Sequence, residues 1–431
     1  MQPRFLSRRW LPLLAAGAVL APLAACGSGG SSSTSNGGTL HVYVYQDAST
    51  KVQDAAVAAF NKTSKVKVQL VRVPGTNYSD KVRAVMGTPN APDIFFNWGG
   101  GSIKPYVDDN LLLDLTPTLN GDTTFKNAFI PSVLDAGKIN GKYYGIPMRG
   151  TQPVILFYNK TLFTKYGLQP PATWNDLLHV VSVFKSHGIT PFALGGADAW
   201  TEQMWLEILL DRVGGPSVFA RIESGDKSAW GDPAVLKAAQ DAQALIAAGA
   251  FGTHYKSTGY VNTQAPKLFG SGKAAMHLMG SWEYSTQLAN FPAFTKQGLA
   301  WAAFPTVPGG VGNPADVVGN PTNYWSVNAH TKYKAAALAF LKSMSTEFYN
   351  NQLVKDGEVP ATSNAASLLS KLPSPQYATF EYQMVKNAPS FTLSWDQALE
   401  SQIATPMTTN IQKMFNGQLT PQQFVTAMMA L

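Results

Sequence analysis

The chain has 431 residues, which is longer than a single hydrophobic core usually allows, so two domains or lobes are expected. Its formal net charge is +7, but the basic residues form no dense stripe, and this excludes a typical nucleic-acid-binding protein. The single Cys excludes a disulfide within the chain, so stability must come from packing.

The start of the chain indicates where the protein works. Three arginines precede an apolar run over residues 10–25, which is shorter than the roughly 20 residues that span a membrane, and we predict a signal peptide over residues 1–25. Residues 23–26, Leu-Ala-Ala-Cys, resemble the lipobox of bacterial lipoproteins. This resemblance implies lipid attachment at Cys26 on the extracellular face of the cell membrane, followed by a flexible tether over residues 26–38. The alternative is a soluble secreted protein.

Strand and helix patterns alternate in the first part of the mature chain. Strands are predicted at residues 40–45, 66–73 and 93–97, with helices at 50–61 and 78–86. This βαβαβ order predicts an α/β fold with a mainly parallel sheet covered by helices.

Later segments continue in the same way. Thr173 as N-cap with Asp176 in the first turn begins one predicted helix, and Pro233 begins another. A loop is predicted at residues 305–321, which are rich in Gly and Pro. Further helices are predicted at 200–213, 282–288, 332–344 and most of 375–431, and further strands at 144–147, 154–158, 274–279, 299–304 and 324–328.

Seven fragments occur in an order that is typical of one family. They are Gly38-Thr39-Leu40, Ala91-Pro92-Asp93-Ile94, residues 141–147 (GKYYGIP), residues 156–160 (LFYNK), Pro171-Ala172-Thr173-Trp174, residues 272–282 (GKAAM to GSW) and the helix at 336–342. On these fragments the chain resembles the extracellular solute-binding proteins of carbohydrate ABC importers, of the maltose-binding type, and more narrowly the actinobacterial oligosaccharide-binding lipoproteins.

The resemblance implies two α/β lobes, each with a mainly parallel sheet flanked by helices, joined by hinge crossings, with the ligand in the cleft between them. It implies crossings near Gly150, near residues 309–319 and near residues 365–375. The expected lobes are residues 39–150 with 319–370, and residues 151–318 with 371–431.

Aromatic residues at strand ends and helix starts are the candidate sugar contacts, because pyranose C–H faces pack on flat rings. Trp282 begins a helix and matches a cleft aromatic of the family, and Trp395 with Asp396 matches another. Asn97 and Trp98 end a buried strand before three glycines, which would let the backbone approach a ligand closely. Trp200, with Asp198 beside it, is a further candidate, whereas Trp205 and Trp174 are predicted to be core or structural residues. For Asp396 a helix-start carboxylate without a ligand is an equal alternative.

Polar candidates are Asp47, Arg149, Gln152, Asn320 and Glu358. For Asp47 the alternative is a helix N-cap, and for Arg149 it is an ion pair between the lobes. The six His residues are scattered, so no metal site and no cofactor are predicted.

These observations favour a lipid-anchored monomeric receptor, not an enzyme, that binds an oligosaccharide and delivers it to the permease subunits of an ABC importer. A β-linked xylo- or cello-oligosaccharide is the preferred ligand, since several separated Trp suit a chain with two apolar faces. The alternatives are a secreted glycoside hydrolase and a binding protein for a non-sugar solute.

Overall fold

The computed structural model describes residues 37–372 and 375–431, so the predicted signal peptide and Cys26 lie outside the described residues. The strands are β1 (Thr39–Gln46), β2 (Lys67–Pro74), β3 (Ile94–Asn97), β4 (Lys138–Ile139), β5 (Lys142–Tyr143), β6 (Ile146–Pro147), β7 (Gln152–Asn159), β8 (Thr190–Ala193), β9 (Ala274–Gly280), β10 (Leu299–Ala302), β11 (Val317–Asn320), β12 (Tyr324–Val327) and β13 (Phe391–Leu393).

Helices cover the sheets and form most of the remaining chain. They are α1 (Thr50–Thr63), α2 (Tyr78–Val85), α3 (Lys104–Asp108), α4 (Thr116–Gly121), α5 (Thr123–Asn127), α6 (Pro131–Asp135), α7 (Lys160–Lys165), α8 (Trp174–Ser186), α9 (Trp200–Gly214), α10 (Pro216–Glu223), α11 (Pro233–Ala248), α12 (Gln264–Gly270), α13 (Trp282–Asn290), α14 (Pro292–Gln297), α15 (Lys334–Lys342), α16 (Glu347–Asp356), α17 (Ala365–Leu369), α18 (Gln376–Asn387), α19 (Trp395–Ala398), α20 (Ser401–Phe415) and α21 (Pro421–Met429). No helix among the described residues is long and apolar enough to cross a membrane.

The first sheet has the order β2-β1-β3-β12-β6. β1 lies parallel to β2 and β3, with Val42 opposite Ile94, so the predicted βαβαβ unit is confirmed. β12 is antiparallel to β3 and β6 because it enters from the other sheet rather than through a βαβ crossover.

The second sheet has the order β13-β11-β7-β9-β8, and β10 also pairs with β7. β7 is antiparallel to β9, β10 and β11, whereas β8 is parallel to β9, so this sheet is mixed and the prediction of a mainly parallel sheet is wrong for it. β7 lies in the middle of the sheet, and its run of apolar residues is almost wholly buried, as expected for a strand covered on both faces.

Two hydrophobic cores accompany the two sheets. One is built around β1 and β3 and includes Trp325, and the other is built around β7 and β9 and includes Trp205. The chain passes between the sheets three times. Two passages are short: the first crossing (residues 148–151), between β6 and β7, and the second crossing (residues 321–323), between β11 and β12. The third, from β12 to β13, is long and contains α15 to α18.

Helix starts follow the sequence signals. Thr173 Oγ1 accepts from the backbone N–H of Asp176, and the Asp176 carboxylate accepts from that of Thr173, so the predicted cap of α8 is confirmed as a capping box. Asp232 caps α11, with Pro233 at its first position.

Two loop predictions need correction. Val317–Asn320 lie in the loop predicted for residues 305–321, yet they form β11, because β7 and β13 supply hydrogen-bond partners from distant parts of the chain. The return to the first sheet therefore follows Asn320, rather than occupying residues 309–319. Similarly, Phe391–Leu393 form β13 inside a region that was predicted to be helical apart from its loops.

Candidate functional site

Two adjoining cavities form a cleft that is lined from both sheets. The smaller cavity has a volume of about 430 Å³ and the larger about 690 Å³. Their shared lining residues are Ser79, Phe96, Trp98, Asp198, Trp200, Asp396 and Gln397. We use "the cleft" for the two together. Such a concave, partly aromatic site at strand ends is the usual form of a small-molecule site in an α/β protein.

Trp98 is the aromatic contribution of the first sheet. β1 and β3 are parallel, so their carboxyl ends meet at one edge and place Tyr45, Phe96 and Trp98 together. The Trp98 ring centroid lies 4.9 Å from that of Phe96, 5.7 Å from Tyr45 and 5.8 Å from Tyr78, with interplanar angles of 82° to 89°. Three edge-on contacts of this kind fix the ring while leaving it half-buried.

The glycines after Trp98 serve packing rather than ligand approach, and this corrects the prediction. A Cβ on Gly100 would lie 2.5 Å from the carbonyl oxygen of Gln397, and one on Gly101 would overlap the backbone of Leu399. The absence of side chains at these positions lets this loop lie directly against the backbone around α19.

The second sheet contributes Trp200 and Trp282, which occupy the first positions of α9 and α13. The Trp200 ring centroid lies 6.2 Å from that of Trp282 and 5.2 Å from that of Tyr260. Asp198 Oδ2 accepts from the backbone N–H groups of Tyr260, at 2.6 Å, and Val261, at 3.1 Å. These contacts make one aromatic wall with a carboxylate at its edge.

Arg149 lies in the first crossing and is already paired. Its two Nη atoms donate to the two carboxylate oxygens of Asp47 at 2.9 Å each. Burial alone would lower the pKa of Arg149, but Asp47 and Glu358 outweigh it, so the pKa is raised and the guanidinium stays charged. Both residues line the cleft. Arg149 is therefore ion-paired, as the alternative interpretation expected, but its partner follows β1 in the first sheet and does not lie in the other lobe.

Glu358 does not line the cleft, contrary to the prediction. It is buried beside the first crossing, where Oε2 accepts from the backbone N–H of Gly150 at 2.7 Å and Oε1 lies 3.7 Å from Arg149. Burial raises the pKa of Glu358, although Arg149 acts against this. Its contacts make it a support of the crossing.

Three amides lie at the two crossings. Gln152 Nε2 donates to Asn323 Oδ1 at 2.9 Å, and both residues line the smaller cavity with Asn320. Asn320 is 7% exposed, and its Oδ1 has no hydrogen-bond partner among the described residues. This oxygen is itself inaccessible to solvent, so the part of Asn320 that lines the cavity is the rest of the residue.

The prediction that Trp395 lines the cleft is wrong. It is 2% exposed and stacks on Phe219, with a centroid distance of 5.1 Å and an interplanar angle of 10°. Its backbone N–H donates to Glu207, which holds the start of α19 in the second core. The neighbouring Asp396 does line the cleft and accepts from Gln203 at 2.8 Å and Gln397 at 2.7 Å. Burial raises the pKa of Asp396.

Asn97 lines the larger cavity but is used within the fold. Its Nδ2 donates to Ser326 Oγ at 2.9 Å, and its Oδ1 accepts from the backbone N–H of Gly99 at 3.0 Å.

Ten of the predicted site residues line the cleft: Asp47, Asn97, Trp98, Arg149, Gln152, Asp198, Trp200, Trp282, Asn320 and Asp396.

Several cleft residues were missed. Tyr45 could have been found, because it precedes Asp47 at the end of β1. Tyr260 could not, since it lies in an irregular segment with no motif around it. Within residues 37–372 and 375–431, no group of three metal-ligating side chains converges.

The chain resembles known proteins in both sequence and structure. Residues 45–350 match the family described as bacterial extracellular solute-binding protein. The chain belongs to this family. The galactooligosaccharide-binding protein of Bacillus subtilis is 25% identical over 426 residues, which cover 94% of this chain and 92% of that protein.

Other relatives match over shorter stretches. An uncharacterised ABC transporter extracellular-binding protein of Pyrococcus horikoshii is 28% identical over 64% of this chain. The chain spans less than two thirds of the length of the first curated relatives it matches, namely 65% of that protein, 43% of a second one from the same organism and 49% of the multiple sugar-binding protein of Streptococcus mutans.

Solved structures of solute-binding proteins share the whole fold. A protein solved in a study of xylan utilization by Caldanaerobius polysaccharolyticus is 29% identical with a TM-score of 0.83, covering 91% of this chain and 99% of that one. A chitin oligosaccharide binding protein is 25% identical with a TM-score of 0.81, covering 92% and 98%. These similarities confirm the predicted two-lobed α/β fold of a solute-binding protein.

Proposed function

We propose that this solute-binding protein is a monomeric receptor, anchored outside the cell by a lipid on Cys26, that binds an oligosaccharide in the cleft and delivers it to the permease of an ABC importer. The proposed lobes are residues 39–150 with 321–370, and residues 151–320 with 371–431; the boundary predicted at residue 319 moves because β11 belongs to the second sheet. One observation carries the proposal: Trp98 from the first sheet and Trp200 and Trp282 from the second line the same cleft.

Indole rings and amides are the groups that a sugar chain needs. Trp98, Trp200 and Trp282 offer flat apolar surfaces for pyranose C–H faces, and three amide residues, Gln152, Asn320 and Asn323, line the smaller cavity. The names of similar proteins point the same way, since they mention galactooligosaccharide and chitin oligosaccharide. A cleft of two cavities suits a chain of sugars better than a single ring.

A β-linked xylo- or cello-oligosaccharide is the preferred ligand. Such chains present apolar faces on both sides, which suits rings contributed from two walls. The similar structure from work on xylan utilization supports the xylo-oligosaccharide.

The enzyme alternative lacks a free pair of acids. A glycosidase needs one carboxylate to donate a proton and another to attack or activate water. Each acid that lines the cleft, among the described residues, is held by hydrogen-bond or ion-pair partners: Asp47 by Arg149, Asp198 by two backbone N–H groups, Asp396 by Gln203 and Gln397, and Glu400 by Lys104 and Gln402. A phosphorylated ligand would find both bases of the cleft already paired, because the two Nη atoms of Arg149 donate to Asp47 and Arg83 lies 3.3 Å from Asp80. Overnight incubation with xylo- and cello-oligosaccharides should leave them intact by chromatography, and any product would favour the hydrolase.

Calorimetry with xylotetraose, cellotetraose, chitotetraose and maltotetraose tests the ligand directly. We expect binding in the micromolar range or tighter, about −8 kcal/mol, for the xylo- or cello-oligomer. Binding of none of the four would reject the sugar receptor, and binding of maltotetraose alone would reject the β-linked preference.

The anchor is tested separately. Cys26→Ser should move the protein from the membrane fraction to the medium and abolish its incorporation of radiolabelled fatty acid, because a diacylated Cys is the proposed attachment. Retention of the label by the variant would contradict the anchor without touching the sugar proposal.

A further inference from the structure

Charge is distributed unevenly between the cleft and the rest of the chain. Lys and Arg number 33 against 26 Asp and Glu, so the chain as a whole is basic. The charged side chains that line the cleft, among the described residues, are the acids Asp47, Asp198, Asp396 and Glu400 and the bases Arg83 and Arg149. Acids therefore outnumber bases at the one surface where a ligand would lie.

Most of these charges are neutralised by a neighbour. Asp47 pairs with Arg149, as described above. Arg83 lies 3.3 Å from Asp80, and Glu400 lies 3.5 Å from Lys104. Neither Asp198 nor Asp396 has a basic group within ion-pair distance among the described residues.

The two unpaired carboxylates lie where the cavities meet. Asp198 and Asp396 line both cavities, as do Trp98 and Trp200, so a chain that occupies both cavities passes them. Behind Asp396, Gln203 Nε2 bridges to the buried carboxyl of Glu207 at 2.7 Å.

Tyr45, at the end of β1 in the first sheet, lies close enough to two of the cleft acids to be affected by their charges. Burial, followed by the charges of Asp47 and Asp198, raises the pKa of Tyr45 to about 12. Asp47 precedes α1 and Asp198 precedes α9, so the two carboxylates approach this phenol from different sheets.

We propose that Asp198 and Asp396 make the junction of the cavities a charge filter, which rejects oligosaccharides that carry a carboxylate or phosphate and admits neutral or amine-bearing ones. An anionic sugar there would lose its hydration without gaining a cation, and it would be repelled at short range. Specificity of this kind comes from an unfavourable contact with the wrong ligand. The inference rests on the proposed sugar receptor.

The experiment uses matched ligands. The first neutral probes are xylotetraose and cellotetraose. The tetramer that binds is then compared with an acidic form of itself. For cellotetraose the acidic form has its terminal glucose oxidised to a uronate, and for xylotetraose it carries a glucuronate branch. The third ligand is the methyl ester of that uronate. The ester has nearly the same shape without the charge, so the ratio of the two dissociation constants isolates electrostatics.

We expect the uronate to bind at least about fivefold more weakly than its ester at about 20 mM salt, and the ratio to fall below about twofold at about 500 mM salt, because salt screens the repulsion. A glucosamine tetramer with protonated amines should bind more tightly at the lower salt concentration than at the higher one. Equal or tighter binding of the uronate at low salt would overturn the filter and leave the receptor intact. Binding of none of the neutral tetramers, chitotetraose and maltotetraose included, would overturn both.

Two variants assign the effect to residues. Asp198→Asn keeps an oxygen for the two backbone N–H groups, and Asp396→Asn keeps one for Gln203, so both should fold. Each variant should reduce the ratio of the uronate dissociation constant to the ester dissociation constant by about half or more. This holds regardless of any change in affinity for the neutral tetramer. Asp109→Asn removes the same charge from an exposed site outside the cleft and should leave the ratio unchanged. A ratio that is equal in all three variants and the parent would contradict the assignment.

Discussion

Arg149 and Asp47 form a two-point ion pair that joins the first crossing to the end of β1, with N–O distances of 2.9 Å for both contacts. The Arg149 side chain is 2% exposed, whereas the Asp47 side chain is 34% exposed. The Arg149 side chain of this pair is therefore buried in the wall of the cleft, whereas the Asp47 carboxylate is partly exposed there.

Arg149→Met should destabilise the fold by about 3 kcal/mol, because it leaves the buried Glu358 and the partly exposed Asp47 without their cation. Urea denaturation followed by far-ultraviolet circular dichroism measures this. The control is Arg221→Met, whose ion pairs with Asp226 and Asp232 lie at the surface and should contribute much less to stability. Equal midpoints for the two variants would show that the buried pair is not a structural element.

Replacing Trp282 and Trp395 should give opposite results. Trp282→Ala should weaken oligosaccharide binding by about 2 kcal/mol, roughly 30-fold, with a small change in stability, because its ring lines the cleft. Trp395→Ala should lower the free energy of unfolding by about 3 to 5 kcal/mol, because its ring lies in the second core. Its affinity, measured by calorimetry on the folded fraction, should stay within about threefold of the parent. Unchanged binding by Trp282→Ala would reject its stacking role.

Glu381 should make stability depend on pH near neutrality. It is buried, accepts from Thr151 Oγ1 at 2.8 Å, and burial raises its pKa to about 8. Since this pKa lies above that of an unfolded Glu, the folded state binds the extra proton, and its contribution is lost as pH rises from about 5 to about 8. Glu381→Gln should flatten the fall in urea midpoint over this range. An equally steep fall in the variant would show that another group is responsible.

Gly100→Ala should destabilise more than Gly141→Ala. Both glycines have positive φ, +56° and +78°, so each substitution costs about 1 kcal/mol of backbone strain. At Gly100 the new Cβ also meets the Gln397 carbonyl at 2.5 Å, whereas at Gly141 no atom lies within 4 Å. Thermal unfolding of the two variants gives the difference, and equal shifts would mean that the loop moves freely away from α19.

The sequence was most informative where local rules decide the structure. The caps of α8 and α11 depend on neighbours within four residues, so they were predictable. Trp200 was found because it lies at a predicted helix start, where ligand sites of α/β folds occur, whereas Trp282 was found because it matches a cleft aromatic of the resembling family. Trp395 has the same helix-start position, but its ring meets Phe219, a partner far away in the chain that no local pattern reveals.

Tertiary pairing explains the remaining differences. β11 contains Gly319 and Asn320 and has weak strand character of its own, so it exists because β7 and β13 flank it. Tyr260 reaches the cleft through an irregular segment held by Asp198, and no sequence period marks such a contact.

The two crossings are bonded to each other as well as to the sheets. The backbone N–H of Met148 donates to the Asn323 carbonyl at 2.8 Å, and Thr322 Oγ1 donates to the Arg149 carbonyl at 2.8 Å. The two crossings therefore form one hydrogen-bonded pair of segments. A residue inserted into one crossing would shift its hydrogen-bonding groups away from their partners in the other, so the two lengths are constrained to change together.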